Sequence, residues 1–516
     1  MWTTLAAAGP KAIAEALTAE EFDRLHVPTS IETFVAQQVA EGRSVILTGN
    51  AGDGKTHILR RIRPALEAAG AHVLSDATAL MRGDDPTPVL DAWRGALRAG
   101  RPFCMAANEY PLFQLRTVKE GFEQLAEVER QCRHRLAYGT NSADEDARSD
   151  VIVVDLSLRN PLAANFFSRL VDTLLNDSAL RRMINVDRDT IAARNHALLS
   201  IPSVRERLAF LMARLLSVGH RATVRELWIL AARLIFGTSG QRDYQRSDWY
   251  SETLFAADAR FDLTVAMRDV DPARCSHPQW DVVLESRGEP IRSGWAATPP
   301  APAPHSLLDE ENFAALKRRF YFEHRDGHHA FALADPDAQD FSKLLSGGSN
   351  GQLASQLITA INAAYCPVRF SGSEDHLYLW NGHRFHEQPS RSFLAACRIA
   401  IDRFSVDVPR LPSRLTGCFE YQPDHIALSV PSLANNPKLR IDFPLYRTLK
   451  RLGRGLPRKL IPERDIHKLD AFLERLGKAD DSGVRTIWSV HLENLDVIQI
   501  SLSADGKRYD GVKRYA

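Results

Sequence analysis

The apolar run SVIL leads directly into TGNAGDGKTHILRR, and together these residues (44–61) restrict the fold more than any other part of the chain. SVILTG reads as a short buried strand, and the pattern that begins at Lys55 reads as a helix. Between them, Gly49-x-x-x-x-Gly54-Lys55-Thr56 matches G-x-x-x-x-G-K-[ST]. Glycines permit backbone conformations that turn consecutive N–H groups inward on one anion. Lys55 adds a point charge for β- and γ-phosphates, Thr56 a hydroxyl for Mg²⁺, and the helix its positive end. The candidate nucleotide-binding residues are therefore Gly49, Asn50, Ala51, Gly52, Asp53, Gly54, Lys55, Thr56 and His57, and the expected ligands are ATP and Mg²⁺. Pro64 falls within the following helix and should bend or end it about two turns in.

The rest of the chain supplies the context for such a loop. Residues 1–40 read as an N-terminal helical segment, with PKAIAEAL and SIETFVAQQVAEG showing apolar residues at helical spacing. AHVLSDATAL, RPFCMAANEY and DVIVVDLSL are three further strand candidates, and Val89, Leu90, Trp93 and Leu97 share a helical face between the first two. Strands alternating with helices indicate an α/β core with a parallel sheet covered on both sides, over residues 41–160. GTNSADEDAR reads as an exposed loop inside it. Residues 161–237 turn all-helical, as a lid closed by Gly237. Periodicity is lost over 238–305, which ends in the stiff linker TPPAPAP. Residues 306–516 mix helices with short strands (HLYLWNG, IWSVHL, VIQISLS) and read as a separate α+β region.

A phosphate-binding loop needs an acid for Mg²⁺ at the end of a neighbouring strand. Asp76 in HVLSDAT is the first choice and Asp155 in VIVVDLS the second. Asn108, at the end of a strand, suits a residue that orients the attacking water, and the adjacent Glu109 one that polarises it; a plain strand-to-loop turn is the bland alternative. Arg159, just beyond the last strand, reads either as an arginine finger for a neighbouring subunit or as an ordinary capping residue. Arg225 opens a helix of the lid and reads either as a contact to the γ-phosphate or as a surface charge beside Glu226.

GNAGDGKTH, SDAT, AANEYPL, DLSLRNPL and ATVRELWILAARLIFG, in that order, resemble an AAA+-type ATPase. More closely they resemble the F component of DNA-phosphorothioation-dependent restriction (DptF), a family of bacterial defence ATPases. Weaker similarity continues through WYSETLF, LKRRFYFE and LRIDFPLYRTLKRLGRG. The resemblance implies an ATP-hydrolysing, cytoplasmic subunit of an anti-phage restriction system, working with helicase- or nuclease-type partners in a homo-oligomer or hetero-complex. It further implies that Asp76 is the Mg²⁺ acid, Asn108 sensor 1 and Arg225 sensor 2. The departure is Ala77, which stands where a second acid is usual. Unless Glu109 substitutes for it, the protein is a slow, nucleotide-gated switch or scaffold. A small-molecule kinase is the third reading, and the lid and the long region beyond the linker disfavour it.

Composition narrows the classes further. A net charge of +1 leaves no global field for nucleic acid or membrane. The basic run over residues 435–468, with ten Lys/Arg against three acids and with Phe443 and Tyr446 interleaved, is the local candidate for DNA contact. Six scattered cysteines without a C-x-x-C pair fit a reducing compartment and no zinc site. No apolar run reaches the ~18 residues of a membrane span. KRRFYFEHRDGHH, with His324, His328 and His329, reads as a surface turn. Glu493 and Asp496 lack the downstream lysine of a metal-dependent nuclease, so any cutting is expected from a partner.

Overall fold

The structure is a computed structural model. It describes residues 1–7, 18–117, 122–138, 149–237, 248–256, 258, 262–286, 293–296, 310–330, 335–347, 352–366, 373–381, 392–411, 415–479, 486–491, 495–502 and 508–515. PKAIAEAL, GTNSADEDAR, TPPAPAP and Glu493 lie outside these residues. The chain divides into two compact units, Met1–Ala334 with Leu411–Gln422, and Asp335–Arg410 with Pro423–Ala516.

In the first unit β1 (Ser44–Thr48), β2 (His72–Leu74), β3 (Phe103–Ala106) and β4 (Val151–Asp155) form an all-parallel sheet in the order β2-β3-β1-β4. Alternate residues serve its two faces, as the two-residue period of a strand requires. Val45, Leu47, Ile152 and Val154 pack with Ile58 and Leu59 of the helix Lys55–Ala68 and with Ile31 and Val35 of the helix Ser30–Ala40. Ile46, Val151 and Val153 pack on the other face with Trp93, Met105 and Val128. Both faces being covered, β1 and β4 are buried along their whole length.

The helix Lys55–Ala68 continues through Pro64, so Pro64 does not end it about two turns in. Pro64 is on the solvent side, while Ile58, Leu59 and Leu66 hold the helix on the sheet. That packing outweighs one lost backbone bond.

The all-helical segment is present as Ala164–Leu175, Ser178–Val186, Ile191–Leu199, Pro202–Ser217 and Val224–Phe236, the last capped by Gly237 at φ +70°. These helices share an apolar cluster distinct from those of the sheet. Trp2 reaches it from the N-terminal helix Trp2–Ala7, 5.6 Å from Trp228 between ring centroids, with its indole N–H donating to Asp177. The aperiodic residues after 238 contain short helices, Tyr250–Thr253, Asp262–Met267 and Pro278–Ser286, too brief for apolar spacing to repeat. The helix Glu310–Glu323 also buries Phe320, Tyr321 and Phe322 in this cluster, so the division falls after Ala334 rather than at residue 306. His324, expected on a surface turn, is fully buried against Phe320 and bonds the Ser293 carbonyl through Nε2.

The second unit is α+β. A five-stranded antiparallel sheet contains β5 (His376–Asn381), β6 (Ser392–Ala400), β10 (Thr486–His491), β11 (Val497–Leu502) and β12 (Tyr509–Tyr515), in the order β12-β11-β10-β6-β5. A second sheet pairs β7 (Ser405–Asp407), β8 (His425–Ser429) and β9 (Lys438–Asp442), also antiparallel. The helices Pro336–Leu345, Leu353–Tyr365, Phe443–Gly453 and Glu463–Ala479 complete it. Among the described residues no helix is long and apolar enough to cross a membrane.

Candidate functional site

The loop between β1 and the helix Lys55–Ala68 turns through three left-handed glycines, Gly49 (φ +133°), Gly52 (+101°) and Gly54 (+95°). At Gly49 there is no room for a side chain. A Cβ there would lie 2.8 Å from both the Asp53 Oδ2 and the Ser157 backbone nitrogen. Lys55 is buried, and its Nζ donates to the carbonyls of Gly49 (3.0 Å) and Asn50 (2.6 Å). Burial lowers its pKa, against the opposing fields of Asp53 and Asp155. The Asp53 carboxylate, also buried, accepts the Asn50 N–H at 2.6 Å. Burial pushes that carboxyl up to about 6, despite Lys55 and the amide bond. Asn50 and Ala51 are exposed at the crest, and Thr56, second residue of the helix, is half-buried beside His57. The His57 ring stacks on His26, with ring nitrogens 3.1 Å apart, and burial brings its pKa down to about 4.

The sheet order distributes the candidate acids. Asp155 ends β4 directly beside Thr48 of β1 and accepts the backbone N–H (2.9 Å) and hydroxyl (2.7 Å) of Ser157. Asp76 follows β2 at the sheet edge, one strand further from β1. It is exposed and caps the helix Ala77–Leu80 by accepting the Thr78 N–H. Asn108 stands just past β3, the strand between them, and Glu109 is the exposed first residue of the helix Glu109–Thr117. Lys55 lies within the electrostatic reach of Asp53, Asp155, Arg225 and Asp76 together.

The start of the helix Val224–Phe236 sits on this loop. The Arg225 N–H donates to the Gly52 carbonyl at 3.1 Å, and a Cβ on Gly52 would lie 3.1 Å from both the Arg225 Cβ and the Thr223 hydroxyl. Thr223 and Glu226 close a reciprocal capping box, so Glu226 is engaged with its own helix start. The Arg221 guanidinium donates to the Ser157 carbonyl at 2.6 Å. A second helix start, with its partial positive charge, thus contacts the glycine loop at Gly52, besides the helix that begins at Lys55.

Arg159 is placed differently from the expectation of a finger. Its side chain is 6% exposed, pairs with Glu420 (Nε to Oε2, 3.1 Å) and stacks over Phe166 at 4.1 Å. Glu420 also pairs with Arg169. A guanidinium buried between an aromatic ring and its own subunit's carboxylate is not presented to a neighbour, and the finger role is withdrawn. Glu420 carries no motif and stands 261 residues from Arg159, so only the folded chain could show the pair.

The basic run of residues 435–468 also differs from expectation. Arg440 pairs with Asp424, Arg447 with Asp335, Lys450 with Asp337 and Asp340, and Lys468 with Asp442. Four of those acids lie outside the run and offset part of its excess charge within the second unit; Arg451, Arg454, Lys459 and Arg464 are exposed. Among the described residues no group of three or more His, Cys, Asp or Glu side chains could hold a metal ion by itself. No family model matches the chain, and no curated protein or solved structure matches it.

Proposed function

We propose that the chain is a Mg²⁺-dependent ATPase of the AAA+ type and a subunit of a multi-protein DNA-restriction system. The observation that carries this reading is the seating of the Val224–Phe236 helix start, with Arg225, on Gly52 of a loop whose lysine is buried six residues after Gly49. Two helix starts meet at this loop, and Lys55 lies in the field of Arg225. That arrangement suits a polyphosphate. The placement of β3 between β1 and β2 supports the assigned roles, since it sets Asn108 nearer to the loop than Asp76.

In this reading the loop amides from Gly49 to Thr56 hold the phosphates. The Lys55 ammonium exchanges the carbonyls of Gly49 and Asn50 for phosphate oxygens. Thr56 and Asp76 hold Mg²⁺, which supplies charge neutralisation on the phosphates. Asn108 orients water, Glu109 takes its proton, and Arg225 balances charge at the terminal phosphate. The restriction role, the cytoplasmic location and the helicase- or nuclease-type partners rest on the family resemblance of the motifs. Assembly into a homo-oligomer no longer draws on Arg159.

The experiment is ATP turnover by the purified chain with and without duplex DNA. DNA-stimulated hydrolysis that disappears in Lys55→Ala supports the reading. ATP binding without turnover supports a nucleotide-gated scaffold instead, which Ala77 in the second acid's place favours. Failure to bind ATP at all defeats both.

A further inference from the structure

Leu411–Gln422 belongs to the first unit, although the chain on both sides of it belongs to the second. Its side chains show why. Leu415, Cys418 and Phe419 are buried in the apolar cluster that holds Ile58 and Leu59, from the helix beginning at Lys55, and Ile31 and Val35. Its polar end grips the chain leaving β4. Glu420 takes Arg159 and Arg169, the Asn160 N–H donates to the Glu420 carbonyl (2.8 Å), and the Asn160 side-chain amide donates to the Gln422 carbonyl (2.7 Å). A surface connection does not bury three apolar side chains and a carboxylate.

The grip reaches the glycine loop in a few bonded steps. Asn160 and Arg159 follow Ser157, whose N–H and hydroxyl hold Asp155 and whose nitrogen closes off the space over Gly49. Arg221, four residues before Arg225, holds the Ser157 carbonyl. On the other side, Leu411–Gln422 joins β7 to β8, which pair directly through Ser405–Ser429, Val406–Leu428 and Asp407–Ala427. The segment is therefore the covalent connection between two paired strands of the second unit, and its described residues, Leu411 and 415–422, belong to the first unit.

We propose that this strap transmits the nucleotide state of the glycine loop to the β7–β8 hairpin, with Glu420 as the positioning residue. The proposal rests on the nucleotide-binding reading and assigns that site its output. The anchor is suited to rearrangement. The Arg159 Nη2 is buried without a hydrogen-bond partner among the described residues, so the present pairing leaves a donor that another arrangement can satisfy. A triphosphate beside Gly49 adds negative charge near Ser157 and Asp155, and Arg159 already lies in the field of Asp53. Movement of the chain leaving β4 is then carried by covalent geometry to residues 405–411 and 422–429.

The test is hydrogen exchange by mass spectrometry on the full chain, with and without a non-hydrolysable ATP analogue and Mg²⁺. In the wild type, protection is expected at Gly49–Thr56 together with a change of at least about fivefold in exchange over residues 405–429. Glu420→Gln is expected to keep the protection at the loop and lose the distant response. Asn160→Ala, which removes the bond to Gln422 and keeps both ion pairs, is the milder arm and should weaken that response. Glu420→Asp should restore part of it. Loop protection with no change over 405–429 overturns the coupling alone, as does an unchanged distant response in both Glu420→Gln and Asn160→Ala. Absence of protection at the loop in the wild type overturns the nucleotide reading and the coupling with it.

Discussion

Lys55 and Lys450 are the same cation on two helices, and the protein uses them in opposite ways. Lys55 is the first residue of the helix Lys55–Ala68, where the helix dipole disfavours a positive charge, and its ammonium bonds only neutral carbonyls in the contacts described above. Lys450 lies in the last turn of the helix Phe443–Gly453, where the dipole favours it, and pairs with Asp337 and Asp340 at 2.8 Å. Their pKa values move apart accordingly. Burial lowers that of Lys55, whereas for Lys450 the bonds to Asp337 and Asp340 exceed the burial effect and raise it. A cation held in an unfavourable place is available to an anionic ligand; one already neutralised contributes to the fold. Counting Lys and Arg in a sequence does not separate the two.

The largest effect expected from this comparison is on binding at Lys55. Lys55→Ala should weaken ATP binding about hundredfold, the equivalent of one or two charge-assisted hydrogen bonds, with no fall in melting temperature. Calorimetry showing less than about a threefold change in affinity would break the comparison at its first half.

The next effect is on Asp53, whose carboxyl is held at about 6 against an ordinary 3.8. The folded state binds this proton more tightly than the unfolded chain does. The stability it contributes is therefore present below about pH 4 and is lost as pH rises through about 6. Asp53→Asn should be more stable than the wild type by about 1–2 kcal/mol at pH 8, with the difference gone at pH 4. Urea unfolding at the two pH values checks this, and a difference that grows toward acid would contradict the sign.

Smallest is the effect at Lys450. Lys450→Ala should lower the unfolding free energy by about 0.5–1 kcal/mol, as for a partly exposed ion pair, and leave ATP affinity unchanged. Measurable loss of DNA binding in that variant would return the run at 435–468 to the role of a nucleic-acid surface and sharpen the contrast in the other direction.

Much of the α/β core was legible because its signals are local. Val45, Ile46 and Leu47 are buried on both faces of a parallel sheet and therefore read as an unbroken apolar run; Trp93 shares one helical face with Val89 and Leu90. The glycine pattern announced a loop that needs left-handed φ values, and Gly49, Gly52 and Gly54 have them. Pro64 misled because intrinsic propensity is a weak term beside the packing of Ile58, Leu59 and Leu66. His324 misled because its burial comes from tertiary contacts, with Phe320 and the Ser293 carbonyl, while Arg319 and Glu323 beside it pair with each other inside the fold. The helix Glu310–Glu323 was assigned to the wrong side of the division because a proline-rich stretch marks a change of local stiffness and says nothing about which core a later helix joins.

By itself, then, the amino-acid order determined the left-handed glycines of the loop, the parallel strands around it and the helical segment that follows, because each depends on spacings of a few residues. Tertiary structure alone decided which charges are available. It buried Arg159 against Glu420, tied Arg447 and Lys450 to acids more than a hundred positions away, and set the start of the Val224–Phe236 helix on Gly52. An ionisable side chain takes its role from what the fold brings within a few ångströms of it, and that distance is unrelated to separation along the chain.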